Sequence, residues 1–176
     1  MKTREVEKLY AQYVIPSVTR VPLCLVKGKG SRVWDLEGRE YVDFFQGWGV
    51  SGLGHCHPAV GHAVKNQLRK ILHVSNNYLN LKQAELARAI SRSAFPSRVF
   101  FANSGAEAVE TAIKFARAYG EPSGRYEIIT LKRSFHGRTF GAMTATGQEK
   151  MHQGFGPLPP GFLYAEFNDL ESVRRL

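Results

Sequence analysis

Hydrophobic and polar positions follow two different periods along this chain, and together they predict its secondary structure. Residues 32–36 and 41–45 alternate around a turn that contains a glycine, which predicts a β-hairpin. Short runs rich in aromatic and β-branched residues predict strands at 23–26, 98–102 and 126–131. Four segments repeat their apolar side chains every three or four residues and predict amphipathic helices: 3–13, 58–72, 82–94 and 106–119.

The order of the later elements predicts the fold class. Strand 98–102, helix 106–119 and strand 126–131 form a βαβ pattern, which is typical of a parallel sheet with a right-handed crossover. Residues 1–45 predict a small β-rich segment behind a leading helix, too small to bury a core alone. A last short helix begins at 168 or 169. Helix 58–72 is expected to direct Val60, Val64, Leu68 and Ile71 inward. Helix 82–94 carries apolar side chains that include Leu86 and Ile90.

The central helix carries its own start and stop signals. Ser104 and Glu107 fit a capping box, and Gly120 fits the C′ position that often ends a helix. Glu110 lies four residues before Lys114, which favours an ion pair along the helix surface. We therefore expect a stable helix with well-defined ends.

The start of that helix is a candidate anion site. A helix that opens on Asn103, Ser104 and Gly105 presents unpaired N–H groups and the positive end of its dipole. Gly105 has no Cβ, so a phosphate can approach the backbone closely. The segment matches neither of the common nucleotide-binding fingerprints. The alternative is an ordinary capped helix in which Ser104 does nothing but cap.

A second loop, 134–138, follows the strand at 126–131. Since ligands of parallel sheets lie beyond the carboxyl ends of the strands, this loop and the helix start should share one rim. Phe135 offers a flat face to a planar ring, and Arg138 offers a fork for a carboxylate or is a solvated surface arginine. His136 is an acid–base candidate or a structural hydrogen-bonding residue.

A glycine-rich segment, 46–57, requires close backbone approach or unusual dihedral angles. Its His55, Cys56 and His57 suggest a metal site, but no second pair of ligands or nearby carboxylate supports one. We favour a tight loop before a helix that Pro58 opens.

Composition narrows the functional classes. The 176 residues are 43% hydrophobic and carry a net charge of +9, but the basic residues are scattered, which argues against nucleic-acid binding. Two cysteines 32 residues apart fit a reducing compartment. No apolar leader follows Met1 and no run is long enough to span a membrane, so we expect a cytoplasmic protein.

Four motifs in collinear order resemble the class III aminotransferases that depend on pyridoxal 5′-phosphate. They are the segments 33–43, 53–58, 103–108 and 134–139. Downstream, residues 154–158, 160–162 and 167–170 are similar to the acetylornithine aminotransferase branch. The resemblance extends over essentially the whole chain.

The resemblance implies a role for each rim residue. Gly105 and Ala106 would donate backbone N–H groups to the coenzyme phosphate, with Ser104 adding its hydroxyl. Phe135 would stack on the pyridine ring, and Arg138 would bind the substrate α-carboxylate. It assigns five residues to the coenzyme: Ser104, Gly105, Ala106, Phe135 and His136.

It also implies the reaction and the architecture. The family moves an amino group from an ω-amino donor, such as N-acetylornithine in arginine biosynthesis, to 2-oxoglutarate. It is a homodimer of fold type I with active sites at the subunit interface. Residues 1–45 would belong to its small domain, and residues 46–176 would form the first part of its large coenzyme-binding domain.

Two departures from the family pattern matter. The family runs to roughly twice this length or more, so its coenzyme-binding lysine and pyridine-pairing aspartate are expected beyond this chain. Lys132 lies on the right rim but in the wrong sequence context, and we expect no catalytic residue and no activity from this N-terminal part alone. A non-catalytic module for a phosphorylated ligand is the alternative.

The second departure is Trp48, where the family commonly has a smaller aliphatic residue near the substrate side chain. We assign Trp48 to the substrate pocket. Its size leaves acetylornithine, succinylornithine, ornithine and 4-aminobutyrate open as donors.

Overall fold

The computed structural model describes residues 1–176, which form two compact units, Met1–Asn80 and Leu81–Leu176. The first contains α1 (Thr3–Tyr13), β1 (Leu25–Lys29), β2 (Arg32–Asp35), β3 (Glu40–Val42) and α2 (Pro58–Leu68). The second contains α3 (Leu81–Ser93), α4 (Gly105–Gly120), β4 (Ile128–Leu131), α5 (Phe140–Ala145), β5 (Phe162–Ala165) and α6 (Leu170–Arg174). None of the helices is both long enough and apolar enough to cross a membrane.

The first unit is built on an antiparallel sheet in the order β1-β2-β3, which confirms the predicted hairpin. The turn between β2 and β3 is fixed by Asp35. Its side chain is buried and accepts hydrogen bonds from the Arg39 N–H at 2.8 Å and the Tyr41 hydroxyl at 2.8 Å. Burial alone would raise the pKa of Asp35, but these bonds and the Arg39 guanidinium hold it below its ordinary value. Gly38 supplies the left-handed turn residue at φ 86°.

The glycine-rich segment takes the unusual backbone that its composition predicts. Gln46, Gly47, Trp48 and Gly49 all have positive φ. His55 lies just beyond, where its ring bonds the carboxylate of Asp43 at 2.6 Å and its backbone pairs with Gly30. His55 therefore braces the loop. Pro58 is the first residue of α2, as predicted.

The second unit contains a parallel pair, β4 and β5, in register from Ile128↔Phe162 to Leu131↔Ala165. The predicted strand at 98–102 is wrong for this structure, because that segment has no regular secondary structure and pairs with no strand. The parallel partner of β4 is instead β5, a four-residue strand that the hydrophobic pattern did not reveal. The fold is α/β as predicted, but the parallel pair is β4 with β5 rather than 98–102 with 126–131.

The predicted stop of the central helix is also wrong. Gly120 is right-handed and is the last residue of α4, and the chain continues into a 3₁₀ turn over Glu121–Ser123. The left-handed residue is Gly124, at φ 70°. A Cβ on Gly120 would lie 2.1 Å from the carbonyl oxygen of Arg125, so this glycine serves close packing rather than helix termination.

Helix α5 is the buried centre of the second unit, and the periodicity of the sequence did not predict it. Residues 142–146 are buried. His152 Nε2 lies 2.9 Å from the carbonyl oxygen of Met143 and 2.8 Å from that of Thr146, so this nitrogen is the donor. The Tyr164 hydroxyl donates to the Thr144 carbonyl at 2.6 Å, and burial raises the pKa of that tyrosine. The carbonyls of Met143, Thr144 and Thr146 are thereby satisfied.

The face of helix 58–72 that was predicted to point inward is exposed, and α2 itself ends at Leu68, before Ile71. Val60, Val64, Leu68 and Ile71 are between 48% and 55% exposed, because no element within the first unit covers them. Leu86 and Ile90 on α3 are also exposed. The periodicity of the sequence identified the apolar side chains that share a helix face. These side chains are nevertheless exposed, because no element of their own unit packs against them.

This exposed apolar surface predicts poor solubility or partial disorder for the 176 residues expressed alone. Light scattering and a thermal melt should show aggregation and no sharp transition. Replacing Val64 and Leu68 with Lys should raise the soluble fraction, whereas Val33→Lys should lower it because Val33 is only 5% exposed. A monodisperse sample with a cooperative transition would contradict this prediction.

Candidate anion-binding site

The candidate site begins at the N-terminus of α4. Ser104 is the N-cap, and its hydroxyl oxygen accepts a hydrogen bond from the Glu107 N–H at 3.2 Å. Glu107 returns a bond not to Ser104, as a strict capping box requires, but to the N–H of Asn103 at 2.5 Å. Because the Ser104 oxygen acts only as acceptor here, its proton remains available to a ligand.

The first turn of α4 leaves its backbone N–H groups without intrahelical acceptors. A Cβ built on Gly105 would meet no atom within 4 Å, so the approach to this turn is open. Helix α4 has 16 residues and directs the positive end of its dipole to the same place. This end of the helix can therefore bind an anion such as phosphate.

The second loop is held against this helix by Gly137. Its φ is 137°, and a Cβ there would lie 2.8 Å from the Cβ of Ala106. Only glycine allows this approach. The prediction that the two loops share one rim is confirmed, but the cause is a direct contact between loop and helix rather than pairing of their preceding strands.

The loop before Gly137 is fixed by the segment that follows α5. The His136 N–H donates to the Thr146 hydroxyl at 2.9 Å, and the Ser134 carbonyl accepts from the Gln148 side chain at 2.9 Å. Arg133, at φ 64°, donates its N–H to the Gly147 carbonyl at 2.6 Å. The loop is thus pre-organised by backbone contacts.

Two side chains of the loop remain available to a ligand. Phe135 is 57% exposed, and Arg138 is exposed. His136 is half-buried and engages through its backbone. Trp48 belongs to the other unit, where it is 89% exposed and packs edge-on against Phe45 with ring centres 5.1 Å apart. The second unit alone therefore brings together the helix start, a flat ring and a guanidinium.

Glu110 has a role that the sequence did not reveal. The sequence favoured an ion pair with Lys114, but the carboxylate instead accepts from the Thr139 hydroxyl, the Gly141 N–H at 2.9 Å and the Ala142 N–H at 3.1 Å. The Thr139 bond holds the pKa of Glu110 below its ordinary value; partial burial opposes this, and the two N–H groups add to it. No signal in the sequence pointed to this role, because the periodicity places Glu110 on the polar face of the helix with Lys114.

Lys132 is engaged elsewhere. Its ammonium pairs with the Glu166 carboxylate at 2.5 Å, and its backbone N–H donates to the Ala165 carbonyl at 2.8 Å. The lysine nearest to the rim in sequence is therefore tied to β5.

Residues 13–175 match the family model for aminotransferase class III. The chain is 57% identical to the acetylornithine aminotransferase of Caldanaerobacter subterraneus over 92% of its own length and 42% of that protein. It is 48% identical to the Aquifex aeolicus acetylornithine aminotransferase over 93% of its length and 44% of that protein. The ornithine aminotransferase of Toxoplasma gondii superposes on 99% of the chain with a TM-score of 0.93 at 30% identity, covering 42% of that structure. The chain thus spans less than half the length of these relatives.

Substituting Gly137 tests whether the contact between loop and helix forms the site. Overpacking against Ala106 typically costs about 1–3 kcal/mol, so Gly137→Ala should weaken phosphate binding by about 5- to 150-fold. Binding is measured by ³¹P NMR in the full-length protein. The matched control is Gly124→Ala, which adds left-handed strain of about 1 kcal/mol in open space and should leave binding unchanged. Equal effects of the two variants would contradict this model of the site.

Acidification tests the Glu110 contacts. Because the folded pKa of Glu110 is depressed, its contribution to stability is complete above the ordinary carboxyl pKa and is lost as pH falls through the folded value. Amide exchange protection of Gly141 and Ala142 should therefore fall with pH, after correction for intrinsic rates. Ile128, whose N–H donates to the Gly161 carbonyl at 2.9 Å, is the control because its acceptor does not titrate. Parallel loss at all three amides would contradict the assignment.

Proposed function

The chain belongs to the class III aminotransferases, and on that premise we propose that it is the N-terminal part of an acetylornithine aminotransferase. This enzyme would move an amino group from N-acetylornithine to 2-oxoglutarate in arginine biosynthesis. The observation that supports it most is the 57% identity to a named acetylornithine aminotransferase over 92% of the chain. The fold is that of the fold type I aminotransferases, and the coenzyme of the family is pyridoxal 5′-phosphate.

The rim residues fit that coenzyme. Its phosphate is a dianion that suits the first-turn N–H groups of Gly105 and Ala106, with the Ser104 proton as a further donor. The exposed ring of Phe135 offers a stacking face for a pyridine. The Glu107 carboxylate is occupied by Asn103, which partly offsets its charge beside a bound phosphate.

Each of these residues would bind or orient. When bound, the coenzyme supplies an electron sink for the carbon that loses its proton. Arg138 would bind the substrate α-carboxylate, since a guanidinium bonds a carboxylate through two parallel N–H groups. Phe135 would fix the tilt of the ring. His136, whose backbone is bound to Thr146, would border the ring.

The remaining assignments complete the proposal. The coenzyme-binding lysine would come from the part of the enzyme outside this chain, which agrees with the engagement of Lys132 by Glu166. Residues 1–45 would belong to the small domain, and residues 46–176 would begin the large domain. The enzyme would be a cytoplasmic homodimer. Trp48 would contact the substrate side chain.

Ornithine is the second candidate donor. The ornithine aminotransferase of Toxoplasma gondii supports it through a TM-score of 0.93, but its sequence identity is 30% against 57% for the acetylornithine relative. The two donors share a free δ-amine and differ at the α-nitrogen, which is a positively charged ammonium in ornithine and a neutral acetamide in N-acetylornithine. The apolar Trp48 ring favours the neutral acetamide.

The donor is tested with the full-length enzyme loaded with pyridoxal phosphate. N-acetylornithine, ornithine, succinylornithine and 4-aminobutyrate are compared by glutamate formation from 2-oxoglutarate. We expect kcat/KM for N-acetylornithine to exceed that for ornithine by at least about 10-fold, since one buried, unpaired charge costs well over 1.4 kcal/mol. Trp48→Ala should narrow that ratio, and Tyr78→Ala serves as the control for removal of another exposed aromatic side chain.

Two results would contradict the proposal. A higher kcat/KM for ornithine than for N-acetylornithine would identify ornithine as the donor. Reversible binding of the coenzyme, insensitive to borohydride and without glutamate formation, would favour a non-catalytic module for phosphorylated ligands.

A further inference from the structure

We propose that Glu110 positions Arg138 for the substrate carboxylate by holding the 137–139 segment along α4. This inference rests on the proposed function, in which Arg138 binds that carboxylate. Ala106 and Glu110 are four residues apart, so they lie on one face of α4 at successive turns. Gly137 packs on Ala106, and the Thr139 hydroxyl donates to Glu110.

The spacing of the two anchors matches the helix. One turn of a helix rises about 5.4 Å, and two residues of extended chain span about 6.6 Å. Gly137 and Thr139 can therefore contact successive turns without strain. Arg138 lies between the two anchored residues, and its side chain is exposed. Its backbone is fixed on both sides relative to the helix start that would bind the coenzyme phosphate.

The same carboxylate holds the chain beyond Arg138. Glu110 accepts the N–H groups of Gly141 at 2.9 Å and Ala142 at 3.1 Å, at the start of α5. A Cβ on Gly141 would lie 2.5 Å from a Glu110 oxygen, so the residue at 141 must lack a side chain for the carboxylate to enter. Glu110 thus binds three groups within residues 139–142, and removing it frees the segment on the far side of Arg138.

A positioning role makes a different prediction from simple stabilisation. If Glu110 only stabilises α5, its loss should weaken coenzyme and carboxylate binding together. If it positions Arg138, carboxylate binding should fall while coenzyme binding, which depends on Gly105 and Ala106, changes little. Thr139 separates the roles further, because its hydroxyl bonds the carboxylate without being required for the helix fold.

The test measures glutarate binding to the full-length, coenzyme-loaded enzyme by calorimetry. Glutarate is a dicarboxylate that cannot react, so the result does not depend on the amino donor. Displacing a carboxylate fork by about 1 Å costs up to about 100-fold, so Glu110→Ala and Thr139→Val should weaken glutarate by about 10- to 100-fold. KM for 2-oxoglutarate should rise more than kcat falls, and Glu110→Gln, which keeps an acceptor oxygen, should restore part of the affinity.

The controls separate the possible failures. Thr139→Ser keeps the hydroxyl and should bind glutarate like the wild type, as should Glu121→Ala, which removes an exposed acid at the other end of α4. If Glu110→Ala does not fold, the glutarate affinity of Thr139→Val decides whether Glu110 positions Arg138. Unchanged glutarate affinity in Thr139→Val, or equal loss of coenzyme and glutarate, would overturn the inference. Absent glutamate formation by the wild type would instead count against the proposed function, and the glutarate series would still decide the role of Glu110.

Discussion

The buried helix α5 depends on polar partners at both of its ends, and this requirement organises the second unit. A helix of six residues leaves most of its N–H and C=O groups unpaired, and burial makes each unpaired group cost about 1–3 kcal/mol. Glu110 satisfies the first N–H groups, and His152 and Tyr164 satisfy the last carbonyls. Thr146 then links α5 to the loop that carries Phe135 and Arg138. The shape of the 134–138 loop therefore depends on the need to satisfy a buried backbone.

Local signals predicted the elements whose stability is local. The amphipathic period and the Pro58 start located the helices, and alternation around Gly38 located the hairpin. Helix α5 was not predicted from the sequence, because it has fewer than two turns and is capped by residues distant in sequence. The segment 98–102 reads as a strand because of its composition, but a strand requires a partner, and none pairs with it here.

The start of the central helix was predicted better than the contacts around it. Ser104 and Gly105 were identifiable because a helix start with a small residue is a chemical signature by itself. We expected the second loop to lie near this helix because both follow strands of one parallel sheet, but the first of those predicted strands, 98–102, is unpaired. The loop and the helix instead meet because Gly137 tolerates contact with Ala106. Sequence shows that Gly137 is a glycine but not which atom it lies against. The role of Glu110 could not be predicted for the same reason, since its hydrogen-bond partners lie 29 to 32 residues away in sequence.

The distribution of buried apolar residues explains why the anion-binding groups lie where they do. Val33 is the one buried hydrophobic residue of the first unit, whereas the second buries Ala142, Met143, Ala145 and Ala165. The proposed site would hold a phosphate and a carboxylate in fixed relation, which needs a rigid support, and packed cores supply it. The support here is the α4–α5 contact, within about forty residues of chain. Because all of these contacts lie between residues 106 and 146, the geometry of the candidate site depends little on how the exposed faces of α2 and α3 are covered.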